Sequence, residues 1–249
     1  MSAMWIIGVD EAGRGPVLGP LVVSAFALPK DDISLLIEAG VKDSKQLSVE
    51  KRDELFNWIC TTAEKRGWQV QIHKSSPASI DIAMAVETLN AHEVALFAHC
   101  VMRLQCHSDG GVLQLDACDV NAERFGYNVG QRLSHWLDSG EWEIDSRHRA
   151  DEIFPAVAAA SIIAKVERDR AIEEIELEIG FPIGSGYTSD KITQVALTKL
   201  LEENSPHHQL RWRWETVRTA WRELGKGDVP SRQSDDGDEP KPAQQTLWR

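Results

Sequence analysis

The chain has 249 residues, 42% of them apolar, which is enough for one large α/β domain or for one domain with an extension. No run of eighteen apolar residues occurs, so the sequence predicts no transmembrane helix. The formal net charge of −12 argues against a generally basic nucleic-acid binder. Any phosphate contacts must therefore come from local basic clusters.

The N-terminal residues and the cysteines indicate the cellular compartment of the protein. Met1–Trp5 lacks the basic region and the long apolar segment of a signal peptide, so we expect a cytoplasmic protein. Cys60, Cys100, Cys106 and Cys118 form no C-x-x-C pair and lie among apolar residues. Buried thiols are therefore expected rather than a zinc site or disulfides.

The first apolar stretch predicts a buried strand that ends on two adjacent carboxylates, Asp10 and Glu11. Two carboxylates at a strand end are costly to bury unless a cation lies beside them, and hard oxygen ligands suit Mg²⁺ or Mn²⁺. Gly13 and Gly15, on either side of Arg14, have no side chain and let the backbone approach a ligand closely. A hairpin with a polar tip is the alternative.

The remaining elements follow from periodicity and from capping residues. In chain order, the sequence predicts a short helix at 31–40, a helix after Ser48 as its N-cap, a strand at 68–73, one or two helices at 79–104, a strand at 112–116, a helix at 121–137 with Asp119 as its N-cap, a short strand at 142–144, a long helix at 156–179, a helix at 190–203 and a last helix that begins at Arg211 and ends near Leu224.

Two further aspartates are candidates for metal binding. Asp116 ends a predicted strand, and ligands in α/β sheets gather beyond the carboxyl ends of strands. Asp151 lies ahead of the long helix, where a carboxylate interacts favourably with the positive end of the helix. Capping alone would explain Asp151, and metal ligation is the other reading.

Basic, hydroxyl and aromatic side chains offer candidates for substrate binding. Ser44 and Lys45 lie in a polar loop in which both can meet a phosphate, although a solvated loop is the alternative. Lys165 and Arg168 are three residues apart on one helix, where they face either phosphate or solvent. Tyr187, in a glycine-punctuated loop, offers a ring and a hydroxyl to a nucleotide, with simple loop packing as the alternative.

The C-terminal part of the chain carries two more patterns. Arg and Trp alternate over 211–214, which indicates either a nucleic-acid surface or packed tryptophans with outward arginines. From residue 225 the composition changes to Gly, Asp, Ser, Pro and Lys, which predicts a disordered acidic tail.

Several of these stretches resemble one family. Gly8–Pro16 is similar to the opening signature of the type 2 ribonucleases H, the ribonuclease HII family. The Asp-Ser-Lys loop at 43–45, the block at 150–169 and the Gly-Ser-Gly-Tyr loop at 184–187 resemble further motifs of that family, in the same order. Thr188 and Lys191 stand where this family usually has prolines. Residues 119–126 and the tail look most like the archaeal branch.

The resemblance implies a fold and a domain arrangement. The family has a ribonuclease-H-like α/β core, a mixed five-stranded sheet flanked by helices, with a helical C-terminal part. On this chain the core would occupy residues 1–185, the C-terminal helical part 186–224, and the tail 225–249.

The resemblance also implies an activity and the residues for it. The family cleaves RNA in RNA–DNA hybrids and single ribonucleotides in duplex DNA, leaving 5′-phosphate and 3′-hydroxyl ends, and uses two Mg²⁺ or Mn²⁺ ions about 4 Å apart. The implied metal ligands are Asp10, Glu11, Asp116 and Asp151. The implied substrate contacts are the backbone of Gly13, Arg14 and Gly15 and the hydroxyl of Tyr187, with Ser44, Lys45, Lys165 and Arg168 near the nucleic-acid backbone.

At the C-terminus, Gln244, Leu247 and Trp248 resemble the sliding-clamp-binding box of replication proteins. A monomer with roles in ribonucleotide removal and replication would fit the family.

The sequence is compatible with other functional classes. The ribonuclease-H-like fold also occurs in transposases, exonucleases and sugar kinases, and a non-catalytic binding module is a third reading. The sequence has no P-loop pattern, and the paired carboxylates fit a nuclease better than a kinase.

Overall fold

The computed structural model describes residues 4–42, 44–107 and 109–232, and these form one mixed β-sheet with helices on both faces. Strand β1 pairs antiparallel with β2 and parallel with β4. Strands β2 and β3 are antiparallel, whereas β4 and β5 are parallel, which gives the order β3-β2-β1-β4-β5. The five strands are β1 (Trp5–Ala12), β2 (Leu21–Pro29), β3 (Gln69–Ser75), β4 (Gly111–Asp116) and β5 (Trp142–Arg147).

The helices of the described residues account for most of the remaining chain, and short 3₁₀ turns lie at Lys30–Asp32, Ser44–Gln46 and Ala150–Glu152. The α-helices are α1 (Ile33–Glu38), α2 (Val49–Arg66), α3 (Pro77–Ala83), α4 (Leu89–Met102), α5 (Ala122–Arg132), α6 (Ser134–Leu137), α7 (Pro155–Ile179), α8 (Lys191–Leu200) and α9 (Glu215–Glu223). The mixed five-stranded sheet flanked by helices is thus confirmed.

Side-chain caps set most helix starts. Ser48 accepts a hydrogen bond from the Lys51 amide and begins α2, as predicted. Asn121, and not Asp119, caps α5 through the Arg124 amide, because Asp119 instead pairs with the Arg124 guanidinium. The prediction for Asp119 was therefore wrong by two residues. The last helix begins at Glu215 rather than at Arg211.

Two cores lie on opposite faces of the sheet. On one face α2 and α7 pack over β1 and β2, and on the other face α4 and α5 pack over β1, β2 and β4. Gly8 lets α7 lie very close to β1, because a Cβ at this position would be 2.2 Å from the backbone carbon of Ala156. The small residues at the start of α7 serve the same close approach.

A third apolar cluster joins α8 and α9 to the body of the protein. It includes Leu18, Ile172, Leu210 and Trp221. Leu18 and Leu210 also form an isolated antiparallel bridge, so the turn after β1 is tied to the C-terminal segment.

Residues 225–232, which the composition assigns to the tail, pack on this part of the fold. The Lys226 ammonium donates to the carbonyls of Leu201, Glu202 and Glu203. Arg232 donates to the Asp81 carboxylate. Residues 233–249, which include the predicted clamp-binding motif, lie outside the described residues. Within the described ranges, no helix combines the length and the apolar character that crossing a membrane requires.

The close approach of α7 to β1 makes a prediction about stability. Gly8→Ala should lower the free energy of unfolding by about 2–3 kcal/mol, because the new methyl group overlaps helix backbone. Denaturant unfolding measures this. The control is Gly67→Ala, where nothing lies within 4 Å of the added methyl group and only the left-handed backbone (φ 72°) opposes it. That control should lose about 1 kcal/mol, and equal losses in both variants would contradict the proposed clash.

Candidate active site

The site begins with the parallel register of β1 and β4. Val9 lies opposite Leu115, so Asp10 and Asp116 follow side by side at the carboxyl ends of the two strands. This register explains why two aspartates that are 106 positions apart in the sequence become neighbours.

A third aspartate reaches the same place through a hydrogen bond. The Ala150 amide donates to Oδ1 of Asp116 at 3.1 Å, which holds the 3₁₀ turn ahead of α7 against the end of β4. Asp151 lies in that turn. Carboxylate oxygens of Asp10, Asp116 and Asp151 all lie within 4.8 Å of one another.

The burial of these carboxylates changes their acidity. Asp10 is only 4% exposed, and burial, followed by the nearby Asp116, raises its pKa well above the ordinary value. A hydrogen bond from Ser161 on α7 acts in the opposite direction. Burial also raises the pKa of Asp116. Without a cation, the cluster therefore resists full ionisation.

Glu11 faces the other side of the sheet. Successive strand residues alternate, so Asp10 points towards α7 and Glu11 towards α4. The Glu11 carboxylate groups with Glu93 and Cys118, within 4.8 Å, and not with the three aspartates. Burial, and then Asp10, raises the pKa of Glu11 well above the ordinary value. Its Oε2 atom is buried and has no hydrogen-bond partner within the described residues.

The Gly-Arg-Gly turn lies beside this second acidic group. The Arg14 guanidinium donates to both carboxylate oxygens of Glu93, at 2.8 and 3.1 Å, and to the Asn90 side chain at 2.7 Å. The side chain of Arg14 is thus held by α4, which leaves the turn backbone as the group that can meet a ligand.

Tyr187 and Arg168 complete the surroundings of the turn. A Cβ on Gly15 would lie 3.6 Å from the Tyr187 ring, so the predicted loop and the predicted turn are neighbours. The Arg168 guanidinium lies 5.2 Å from the centre of the same ring and donates to the Ser185 carbonyl. Gly13 has φ +87°, and a side chain there would meet Arg168.

Arg168 is therefore not the surface residue that the helix spacing predicted. It is 2% exposed and lies beneath the tyrosine, while its neighbour Lys165 is partly exposed and pairs with Asp169 at 3.1 Å. The prediction of a pair on the helix surface was wrong for Arg168, because this part of α7 is covered by the loop that carries Tyr187.

The Ser44–Lys45 loop also reaches the site. Lys45 is largely exposed, and its ammonium is 3.6 Å from Oδ2 of Asp151. Ser44 is buried, and its hydroxyl lies 3.0 Å from the hydroxyl of Ser161. Lys45 is thus placed to meet a ligand at the aspartates, whereas Ser44 joins its loop to α7. Asp43, the first residue of this motif, lies outside the described residues.

Arg211 lies where neither interpretation of the 211–214 pattern placed it, since both put the arginines at the surface. It is fully buried, not outward, and donates to the carbonyls of Gly13, Arg14 and Gly19. Trp214 donates to the Gly15 carbonyl.

The sequence interpretation missed two other contributors, Glu93 and Ser161. A single signal was available for Glu93, an acidic residue within the apolar pattern of α4. Ser161 had no such signal, because a buried serine in a helix of small residues looks like ordinary packing.

The donor set fits hard divalent cations. The carboxylates of Asp10, Asp116 and Asp151 converge, the pKa values of Asp10 and Asp116 are raised, and a cation among the three would remove their mutual repulsion. The second group contains Cys118, whose thiol pKa is raised by burial, so this group is less suited to such ions. The four cysteines are free thiols, three of them buried, as predicted.

Comparison with known proteins decides the family. The family model described as Ribonuclease HII matches residues 7–217. The chain belongs to the ribonuclease HII family. A ribonuclease HII of Thermococcus kodakarensis is 39% identical over 223 residues, which cover 90% of this chain and 89% of that protein.

Solved structures of similar proteins agree. Ribonuclease H2 from Pyrococcus horikoshii has a TM-score of 0.77 and 32% identity, covering 90% of this chain and 100% of that one. The ribonuclease HII in a PCNA complex from Archaeoglobus fulgidus has a TM-score of 0.72 and 36% identity, covering 85% and 95%. The protein is accordingly a ribonuclease H nuclease with a ribonuclease-H-like fold, and the resemblance to the archaeal branch is confirmed.

The raised pKa of Asp10 makes a prediction for the metal-free protein. A carboxyl group with a raised pKa favours the folded state while it is protonated, and this contribution is lost as the pH rises through the raised pKa. Metal-free Asp10→Asn should therefore unfold at a higher temperature than the wild type at pH 8. The two should converge below about pH 4, the ordinary pKa of aspartate.

Thermal unfolding in chelator across this pH range measures the difference. The control is Asp31→Asn at an exposed position, which should follow the wild type at every pH. An Asp10→Asn variant less stable than the wild type at pH 8 would contradict the prediction.

Proposed function

We propose that the protein is a divalent-metal-dependent endoribonuclease that cleaves RNA in RNA–DNA hybrids and single ribonucleotides embedded in duplex DNA. The products would carry 5′-phosphate and 3′-hydroxyl ends. The observation that carries this proposal is the convergence of Asp10, Asp116 and Asp151 from three distant segments. Membership in the ribonuclease HII family supports it.

The metal ligands in this proposal are Asp10, Asp116 and Asp151, with Glu11 as the fourth. Two Mg²⁺ or Mn²⁺ ions bound there would polarise the scissile phosphate and activate water. Glu11 belongs to the proposed set because the charges of Asp10 and Asp116 both raise its pKa. The Glu11 carboxylate therefore interacts electrostatically with the aspartate cluster. Its buried Oε2 atom is also in need of a partner.

Selection for RNA requires groups that reach the 2′-hydroxyl. We assign this role to the backbone of the Gly13–Gly15 turn and to the hydroxyl of Tyr187, which lie against each other. Tyr187 is 38% exposed, so the residue is accessible to a sugar or a base. Arg168 supports that ring from the buried side.

The nucleic-acid backbone would be bound by Lys45 and Lys165. Lys45 is largely exposed and lies beside Asp151, and Lys165 is partly exposed and pairs with Asp169. Ser44 would act less directly, by holding the Lys45 loop to α7 through Ser161.

A sliding clamp is a proposed protein partner. The similar ribonuclease HII of Archaeoglobus fulgidus was solved in a complex with PCNA. In this chain Gln244, Leu247 and Trp248 would form the clamp-binding motif. We further propose a cytoplasmic monomer that acts in ribonucleotide excision repair and in DNA replication.

A cleavage assay tests the proposed reaction. A duplex with one ribonucleotide should be cut on the 5′ side of that nucleotide in Mg²⁺ or Mn²⁺, and an all-DNA duplex should survive. Chelation of the metal should stop cleavage. Asp10→Asn and Asp116→Asn should each lower kcat by about 10³-fold or more, because a metal ligand is lost and with it the cation that would stabilise the transition state.

Asp31→Asn is the matched control for these substitutions and should keep full activity, because Asp31 is exposed on another part of the fold. Full activity of Asp10→Asn in Mg²⁺ would refute the assignment of the ligands. Equal cutting of the all-DNA duplex would refute the proposed substrate.

The chain contains two tyrosines, which allows a matched test of Tyr187. Tyr187→Phe should lower kcat/KM for the single-ribonucleotide duplex about 10-fold, because one hydrogen bond to the substrate is lost. Tyr127→Phe is the control, since Tyr127 is exposed on α5 and should contribute nothing. Equal activity of the two variants would remove Tyr187 from the proposed site.

A further inference from the structure

The Gly13–Gly15 turn is held by the C-terminal segment through its carbonyl groups. Arg211 donates from Nη2 to the Gly13 carbonyl at 2.5 Å and from Nη1 to the Arg14 carbonyl at 2.9 Å. Trp214 donates from Nε1 to the Gly15 carbonyl at 3.3 Å. Three successive carbonyls of the turn are therefore bound by two side chains of one short segment.

The orientation of the carbonyls decides the orientation of the amides. In a planar trans peptide the C=O and the following N–H point in opposite directions, and the described residues contain no cis peptide. A Gly13 carbonyl that faces Arg211 therefore turns the Arg14 N–H away from it. The Arg14 carbonyl does the same for the Gly15 N–H. The third peptide has no N–H, because Pro16 follows.

Arg211 is itself held firmly in place. Its side chain is fully buried, its guanidinium lies 4.8 Å from the centre of the Trp214 ring, and its Nε donates to the Gly19 carbonyl. The two residues after it donate their backbone N–H groups to the carboxylate of Asp81, which is 2% exposed. Arg211 is thus fixed from both ends, from the turn and from α3.

A buried arginine with carbonyl partners is costly to maintain, because its charge is removed from water. Packing alone would be satisfied by an apolar side chain. The geometry points to a second role: we propose that Arg211 and Trp214 are positioning residues that hold the Gly13–Gly15 carbonyls inward. They would thereby present the Arg14 and Gly15 N–H groups to the phosphate that adjoins the ribonucleotide, next to its 2′-hydroxyl.

Two successive N–H donors suit phosphate oxygens, and the buried guanidinium behind them adds positive potential at short range. This inference rests on the proposed function, because it concerns how the same site binds its substrate.

Steady-state kinetics on the single-ribonucleotide duplex test the inference. Arg211→Lys should raise KM about 10-fold or more, because one ammonium cannot bind three carbonyls arranged around a planar fork. Trp214→Phe should raise KM about 3-fold to 10-fold through loss of the indole donor. In both variants kcat should stay within a factor of about three, since a merely destabilised protein loses active fraction and kcat rather than affinity.

The same segment supplies matched controls. Trp212→Phe removes an indole donor that binds the His207 carbonyl instead of the turn, and Arg213→Lys alters an exposed arginine. Both should match the wild type in KM and kcat. If Arg211→Lys fails to fold, Trp214→Phe compared with Trp212→Phe still decides the question.

A binding experiment makes the test independent of cleavage. Duplexes with one neutral methylphosphonate at successive linkages around the ribonucleotide are titrated by fluorescence anisotropy. The wild type should lose affinity at one linkage, and Arg211→Lys and Trp214→Phe should lose clearly less at that same linkage, because its partner amides are already displaced.

The outcomes separate the two hypotheses. A wild type that binds the duplex but does not cut it would refute the proposed function and leave the binding comparison intact. Variants that match their controls in KM, or that lose as much affinity as the wild type at every linkage, would overturn the positioning role of Arg211 and Trp214.

Discussion

The constraint on which the site depends is the burial of like charges at the ends of β1 and β4. Asp10, Asp116 and Asp151 converge within 4.8 Å, and burial raises the pKa values of Asp10 and Asp116. Such an arrangement persists only where the surrounding fold determines it. Three features hold the aspartates in place here. They are the parallel register of β1 and β4, the hydrogen bond from the Ala150 amide to Asp116, and the close packing of α7 on Gly8. A hard divalent cation is the group that would relieve the repulsion.

The acidic net charge and a nucleic-acid substrate are compatible because the basic groups are concentrated. Arg14 lies in the turn between β1 and β2, and Arg168 and Arg211 contact that turn. Arg211 has only carbonyl hydrogen-bond partners within the described residues. A phosphate responds to the local potential, since charges beyond about 10 Å are screened at ordinary ionic strength. The total of −12 therefore describes the whole surface and not the site.

Strand alternation divides the paired carboxylates between two faces of the sheet. Asp10 joins the aspartates under α7, and Glu11 joins Glu93 and Cys118 under α4, next to the Arg14 ion pair. The turn that follows is thus connected to both faces. It closely follows Asp10 and Glu11, two of the proposed metal ligands, and Arg211 fixes it to the C-terminal segment. With the proposed function, this arrangement would couple the placement of the substrate to the placement of the carboxylates.

The sequence by itself determined the mixed α/β fold, most element positions, the candidate aspartates and the family, because strand and helix periodicity and contiguous motifs are local signals. It placed the cap of α5 at Asp119 instead of Asn121, and it placed Arg168 and Arg211 outside the core. Only the tertiary structure decided those positions. A buried arginine resembles a surface arginine in sequence, and what separates them is whether distant segments cover the side chain and supply carbonyl acceptors. The convergence of Asp116 with Asp10, and the separation of Glu11 from both, likewise depend on register and facing helices, which no local pattern encodes.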